Sequence, residues 1–170
     1  MKQHKGMRPH DVVILLKIAV IKDKPWLAKD LAQSLNISAS EVSESLNRSK
    51  LAGLISENKK RLMKNNLLEF LEHGLRYVFP AQAGAIQRGM PTAHNAPPLN
   101  QFVSGEEAYV WPWAEGQARG QAVEPLHPAV PKACVKDPLL YELLALTDAM
   151  RLGRTREKQQ AMEALRQRIL

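Results

Sequence analysis

Apolar positions recur along this chain in three distinct patterns. Over 12–21 the run VVILLKIAVI is apolar almost all round, broken only by Lys17, which predicts a helix buried on more than one side. Pro9 suits a first helical position, and Asp11 falls in the first turn, where the helix dipole favours an acid. KDKP at 22–25 breaks the helix, and Trp26 after it is expected to pack into the core at a sheet edge. Between 27 and 35 leucines repeat every fourth residue (Leu27, Leu31, Leu35), which marks one face of a short helix. Asn36 then supplies a residue that tolerates a left-handed turn, and Ile37 plugs it. Ser38 and Glu41 have capping-box spacing for a further helix, on which Val42 and Leu46 face inward. Gly53 ends that helix, and Leu54-Ile55 read as the start of a strand.

Beyond this, Leu67, Leu68, Phe70, Leu71 and Leu75 predict a short helix ending at His73-Gly74, and RYVF at 76–79 reads as a strand closed by Pro80. The pattern then dissolves. Eight of the eleven prolines fall between 80 and 136, which excludes long helices. This stretch is expected to wrap over the core as an extended segment, with short strands at 109–113 and 121–123. Phe102, Tyr109, Val110, Trp111 and Trp113 give it something to bury, and 88–99 reads as a loop. Periodicity returns at Asp137-Pro138, a capping acid followed by a first-turn proline. Leu139, Leu140, Leu143, Leu144, Leu146 and Met150 follow; Ala161, Met162, Leu165 and Ile169 line a second helix beyond Gly153. These leucines spread wider than one stripe, so a face is expected to remain for a second copy of the chain.

The segment 27–55 resembles the winged branch of the helix-turn-helix family, of the MarR-type or related bacterial regulators. The residues that carry the resemblance are Leu31, Ala32, Leu35, Ile37, Ser38, Val42, Ser43, Leu46, Gly53, Leu54 and Ile55. It implies a helix that enters the DNA major groove, and homodimers that span two grooves. The same fold also serves RNA or protein contacts. The expected fold is mainly α with a small β component (α+β): a winged helix-turn-helix over 1–80, a Pro/Gly-rich segment over 81–136, and a C-terminal helical hairpin over 137–170.

Charge sharpens this. The net +7 lies wholly on residues 1–66, with 13 basic against six acidic side chains, so a polyanion is the natural partner of that segment. On the reading helix Ser38, Ser40, Ser43, Glu44, Asn47, Arg48 and Lys50 are the candidate DNA contacts. Arg and Asn can read base edges, while Ser and Lys suit phosphates. Glu44 can instead pair with Arg48 four residues on. Lys59, Lys60, Arg61 and Lys64 form a basic cluster where a wing would lie, though a helix after it departs from a simple two-strand wing.

Candidate chemistry is thin. The histidines at 4, 10, 73, 94 and 127 are scattered, with no zinc-helix pattern; His94 and His127 fall in Pro-rich loops and stay open as ligand contacts. The lone Cys134 rules out an internal disulfide and a Cys-based zinc site, and no phosphate-cradling loop or nucleophile elbow is present. No apolar run is long enough to span a membrane, and the basic N-terminus lacks a cleavage-site pattern. The sequence therefore predicts a cytoplasmic, non-enzymatic, cofactor-free regulator that binds double-stranded DNA, acting as a repressor by occlusion. The alternative is a protein-interaction subunit of a toxin–antitoxin or defence operon.

Overall fold

The computed structural model describes residues 6–170; most of residues 1–8, which the sequence predicts to be a loose basic arm, lie outside them. The chain is mixed α+β, 55% helical, with one small three-stranded sheet. Helix α1 (Pro9–Ile21) buries Val12, Val13, Ile14, Leu15, Leu16, Ile18 and Ala19, as its all-round apolar pattern requires. Its one interior charge, Lys17, reaches out to Asp137 at 2.6 Å and so ties α1 to the start of a distant helix.

Helix α2 (Ala28–Leu35) and helix α3 (Ala39–Leu51) pack on α1. Asn36 between them is left-handed, φ 55° and ψ 42°, and Ile37 is buried. Ser38 Oγ accepts the N–H of Glu41 at 3.2 Å. Only this half of the expected capping box forms among the described residues. At the far end of α3, Gly53 has φ 76°. Its N–H donates to Lys50 O, and the N–H of Leu54 donates to Ser49 O, which is the Schellman closure that a left-handed glycine permits.

The strand expected at Leu54-Ile55 shrinks to a single bridge, Ile55 against Leu62. The intervening turn is held by Ser56, whose Oγ donates to Asn58 Oδ1 at 2.7 Å and accepts the N–H of Arg61 at 3.0 Å. Helix α4 (Lys64–His73) follows, then one helical turn, α5 (Leu75–Val78). The expected strand at 76–79 is therefore helical. β-branched and aromatic residues favour a strand only where a partner strand lies alongside. Here Leu75 is buried and Phe79 packs edge-on against Phe70 at 6.5 Å.

The Pro-rich segment carries more structure than its composition suggests. Strand β1 (Ile86–Pro91) pairs antiparallel with both β2 (Tyr109–Pro112) and β3 (Ala118–Ala122), and β2 and β3 pair in parallel, so three strands close on themselves. A third of the expected 88–99 loop, residues 88–91, is thus strand. Gly89 meets both partners; a Cβ there would fall 1.9 Å from Trp111 O, so only glycine fits the closure. Trp111 and Val110 are buried as expected, but Phe102 is exposed. A short helix, α6 (Val130–Lys136), leads into α7 (Pro138–Leu152) and α8 (Thr155–Ile169).

Helix α7 is the hub. Asp137 caps it, accepting the N–H of Leu140 at 3.1 Å. Leu140, Leu143, Leu144, Ala145, Leu146 and Met150 are all buried. Of the leucines expected to pair two copies, Leu140, Leu143, Leu144 and Leu146 are buried within one chain, on a helix packed against α1, α8 and the 93–95 turn; Leu139 and Leu170 are the large exposed apolar residues of the hairpin. A single hydrophobic cluster takes Val12 and Leu46, Trp111 and Leu126, and Leu140 and Leu165 from the three sequence segments. Among the described residues no helix is long and apolar enough to cross a membrane.

Candidate nucleic-acid interface

Helix α3 presents one polar face. Val42, Ser45, Leu46 and Ser49 are buried, whereas Ser38, Ser40, Ser43, Glu44 and Asn47 are exposed. Periodicity alone places these residues correctly, because burying Val42 and Leu46 forces 40, 43, 44 and 47 outward.

Arg48 departs from that picture. Its guanidinium is turned inward with a side-chain exposure of 13%. Its Nε and Nη2 donate to Asp11 Oδ2 and Oδ1 at 2.9 and 2.8 Å. Asp11 is fully buried and also accepts the N–H of Arg8 at 2.8 Å. Arg48 thus clamps α3 to the first turn of α1 and is not a free reader of bases. Glu44 lies 3.9 Å from Nη1, the i,i+4 pairing its spacing predicts. The Asp11 carboxylate, then burial opposing it, governs Arg48, and the net effect raises its pKa.

Lys50 is likewise engaged, 3.1 Å from Glu57 on the 54–63 turn. Lys59 sits at that turn with φ 56°, and its Nζ donates to Asn47 Oδ1 at 2.8 Å. This bond fixes the Asn47 amide with its NH2 free to donate. Lys60 lies over the Trp26 ring, 5.4 Å from its centroid, a cation–π contact. Trp26 is buried beside this turn, but no sheet edge lies there: the expected strand is only the Ile55–Leu62 bridge.

Lys60, Arg61 and Lys64 line a groove of about 500 Å3 together with Lys22 and Lys24 from the α1–α2 connection. None of these five makes an ion pair among the described residues, and Asp23 is the only acid in the walls. Sequence reasoning missed Lys22 and Lys24. They stand some 35 residues before the basic cluster, and their +1 charges resemble any solvated pair in a linker until the fold brings the two stretches together.

Behind the face, His10 Nε2 lies 3.2 Å from Arg48 Nη2, and its ring meets His127 edge-on at 5.9 Å. Burial lowers both histidines below 6.5; Asp11 and Glu41 oppose this at His10, and Arg48 and Arg8 reinforce it. As pH falls below 6.5 the unfolded chain takes up these protons before the folded one does, so stability present above that pH is lost. Thermal unfolding between about pH 7 and 5.5 should show a falling midpoint, and His10→Gln with His127→Gln should flatten that slope. An identical slope in the double variant would assign the acid sensitivity to other groups.

Cys134 is buried, and burial pushes its thiol far above its ordinary value, which removes it as a nucleophile. No cluster of metal-ligating side chains occurs among the described residues. Compared with known proteins, the chain matches no family model, no curated protein and no solved structure.

Proposed function

We propose that the chain is a sequence-specific double-stranded DNA-binding protein of the winged helix-turn-helix kind, a transcriptional regulator that represses by occlusion. On this reading α3 enters the major groove, and the 54–63 turn is a minimal wing. One observation carries it: an exposed Ser40, Ser43 and Asn47 face adjoins a groove edge with five cations that make no ion pair among the described residues. Asn47, held by Lys59, can donate to a base-edge acceptor. Ser38 and Ser40 stand at the α3 N-terminus, where a phosphate is favoured. Lys22, Lys24, Lys60, Arg61 and Lys64 follow the backbone. Occlusion needs neither catalysis nor a cofactor. The proposal needs no second copy of the chain, since Leu140, Leu143, Leu144 and Leu146 lie in its own core.

Recovery of bound sequences from a random duplex pool tests the reading directly. Asn47→Ala should weaken binding to the best duplex by about 1–3 kcal/mol and relax one position of the site. Replacing Lys60, Arg61 and Lys64 with Ala should flatten log affinity against log salt by about 0.9 per lost phosphate contact. No enriched sequence, with a protein partner co-purifying at fixed stoichiometry, would turn the reading to protein interaction.

A further inference from the structure

Three parts of the chain meet behind α3: the first turn of α1, the last turn of α3, and the turn at 124–129 that leads into α6. Two histidines stand at this junction. His10 comes from α1, with a side-chain exposure of 13%, and half-buried His127 comes from the turn. Each ring is held through one nitrogen. His10 Nε2 lies 3.2 Å from Arg48 Nη2. A guanidinium nitrogen only donates, so Nε2 accepts and the ring proton sits on Nδ1. His127 Nδ1 accepts the N–H of Ala129 at 3.1 Å, so its ring proton sits on Nε2. Ala129 is the N-cap of α6, and Val130 N–H donates to His127 O. His127 therefore fixes the entry into that helix with both its ring and its carbonyl.

In both rings the nitrogen that would take up a second proton is the one already in use. Protonation therefore removes a hydrogen bond as well as placing a charge. At His10 a new N–H would point at a cation. The two would then compete for Asp11 Oδ1, which lies 2.8 Å from Arg48 Nη2 and 3.8 Å from His10 Nε2. At His127 the Ala129 N–H would lose its acceptor. With ring centroids 5.9 Å apart, two imidazolium charges would repel one another well inside the Debye length.

The surrounding charges do not reverse this. His10 faces Arg8 and Asp11 on its own element and Glu41 and Arg48 on α3, with Glu44 3.9 Å from Arg48 Nη1. His127 faces His10 and Glu41 and shares a cavity wall with Glu124 and with Arg151 of α7. Asp11 and Glu41 favour a charged ring, but Asp11 already accepts both Arg48 bonds and the Arg8 N–H. Burial is the largest influence on either ring and lowers the pKa of both.

We propose that His10 and His127 form an acid-released latch: neutral, they join the 124–129 turn and Arg48 of α3 to the first turn of α1, and charged, they loosen both while the rest of the fold stands. The latch does not depend on the DNA-binding reading. On that reading, it sets how firmly α3 presents Ser43 and Asn47.

The test is nuclear magnetic resonance of the full chain. At about pH 7.5 the ring spectra should show the Nδ1–H form of His10 and the Nε2–H form of His127. Acidification through about pH 5 should charge both rings. Over the same range, protection of Ala129 N–H and Arg48 Nε–H from exchange should fall about tenfold, as for one lost hydrogen bond, while the amide of Leu144 in α7 keeps its protection. His10→Gln retains an oxygen for Arg48, His127→Asn retains one for Ala129, and neither titrates. The double variant should keep both signals protected through the acid range. In His10→Gln alone, Ala129 should still respond, and His127 should titrate at higher pH because His10 is among the groups that lower it. In His127→Asn alone, only Arg48 should respond. Either ring in the opposite tautomer, rings that stay neutral until α7 unfolds, titration without loss of protection, or a full acid response in the double variant would each overturn the proposal. If the double variant does not fold, the single variants decide, since each must abolish its own half of the response and no more.

Discussion

Asp11→Ala should destabilise the protein by about 3–5 kcal/mol, because it leaves the Arg48 guanidinium buried without its counter-ion. The two groups share a bidentate fork at 2.8 and 2.9 Å, with Asp11 wholly out of water. Arg48→Ala should cost a comparable amount by stranding the carboxylate, which then keeps only the Arg8 N–H. Asp11→Leu with Arg48→Met replaces both charges by apolar bulk and should recover most of either loss, since a buried ion pair seldom outperforms well-packed hydrophobes. Urea unfolding with an unchanged m value measures all four proteins. Single variants within about 1 kcal/mol of the parent would show that the clamp is dispensable. The result also bears on the proposed DNA binding. A loss of affinity in Arg48→Ala would follow from a loosened α3, so only variants at exposed positions such as Asn47 report on base contacts.

The other large effect is expected at Asp148. Its carboxylate is buried in α7 and accepts Thr92 Oγ1 at 2.7 Å, Trp111 Nε1 at 2.6 Å and Arg151 Nη1 at 2.9 Å. Burial pushes its pKa up, while Arg151 and the Thr92 and Trp111 donors pull against it. These bonds fasten β2 and the β1–β2 connection to the helical layer, and Arg151 carries the tie on to Phe79 O at 2.8 Å. Asp148→Ala would leave two buried donors without partners and one nearly buried guanidinium without its counter-ion. About 3–5 kcal/mol is expected, with loss of sheet packing around Trp111. Near-ultraviolet circular dichroism reads that packing and urea unfolding reads the stability. A native spectrum and an unaltered midpoint would mean that the sheet is held by its apolar contacts alone. Trp111→Phe removes only one donor and should cost less than Asp148→Ala.

Much of the helical layer is legible in the sequence because its signals are local. The spacing of Leu31 and Leu35, the left-handed Asn36, the Ser38 cap and the Gly53 terminator each act within one or two turns. The same is true of Asp137-Pro138 ahead of a leucine-rich helix. Exposure of Ser43 and Asn47 follows from burial of Val42 and Leu46 on the opposite side of one helix. Such features need no knowledge of the rest of the chain.

What the tertiary structure alone decided is where long-range partners meet. Arg48 is exposed by periodicity, yet Asp11, 37 residues away, draws it inward, because an unpaired buried carboxylate would cost more than the lost solvation of the guanidinium. RYVF lacks an adjacent strand and becomes a helical turn. The strand 86–91 has no alternation to read, since its first three residues are exposed and its last three covered, and its Gly89 answers to backbone crowding from β2. Most of the C-terminal leucines look like a spare interface until α1, α8 and the 93–95 turn cover them. Lys22 and Lys24 join a basic groove only beside Lys60, and the unpartnered His94 nitrogen is buried only once Gly105 lies against it. Local propensity and periodicity determined which residues form helices and which way they face; the pairing of buried charges and the closure of the sheet depend on contacts between distant parts of the chain, whose energies no local pattern contains.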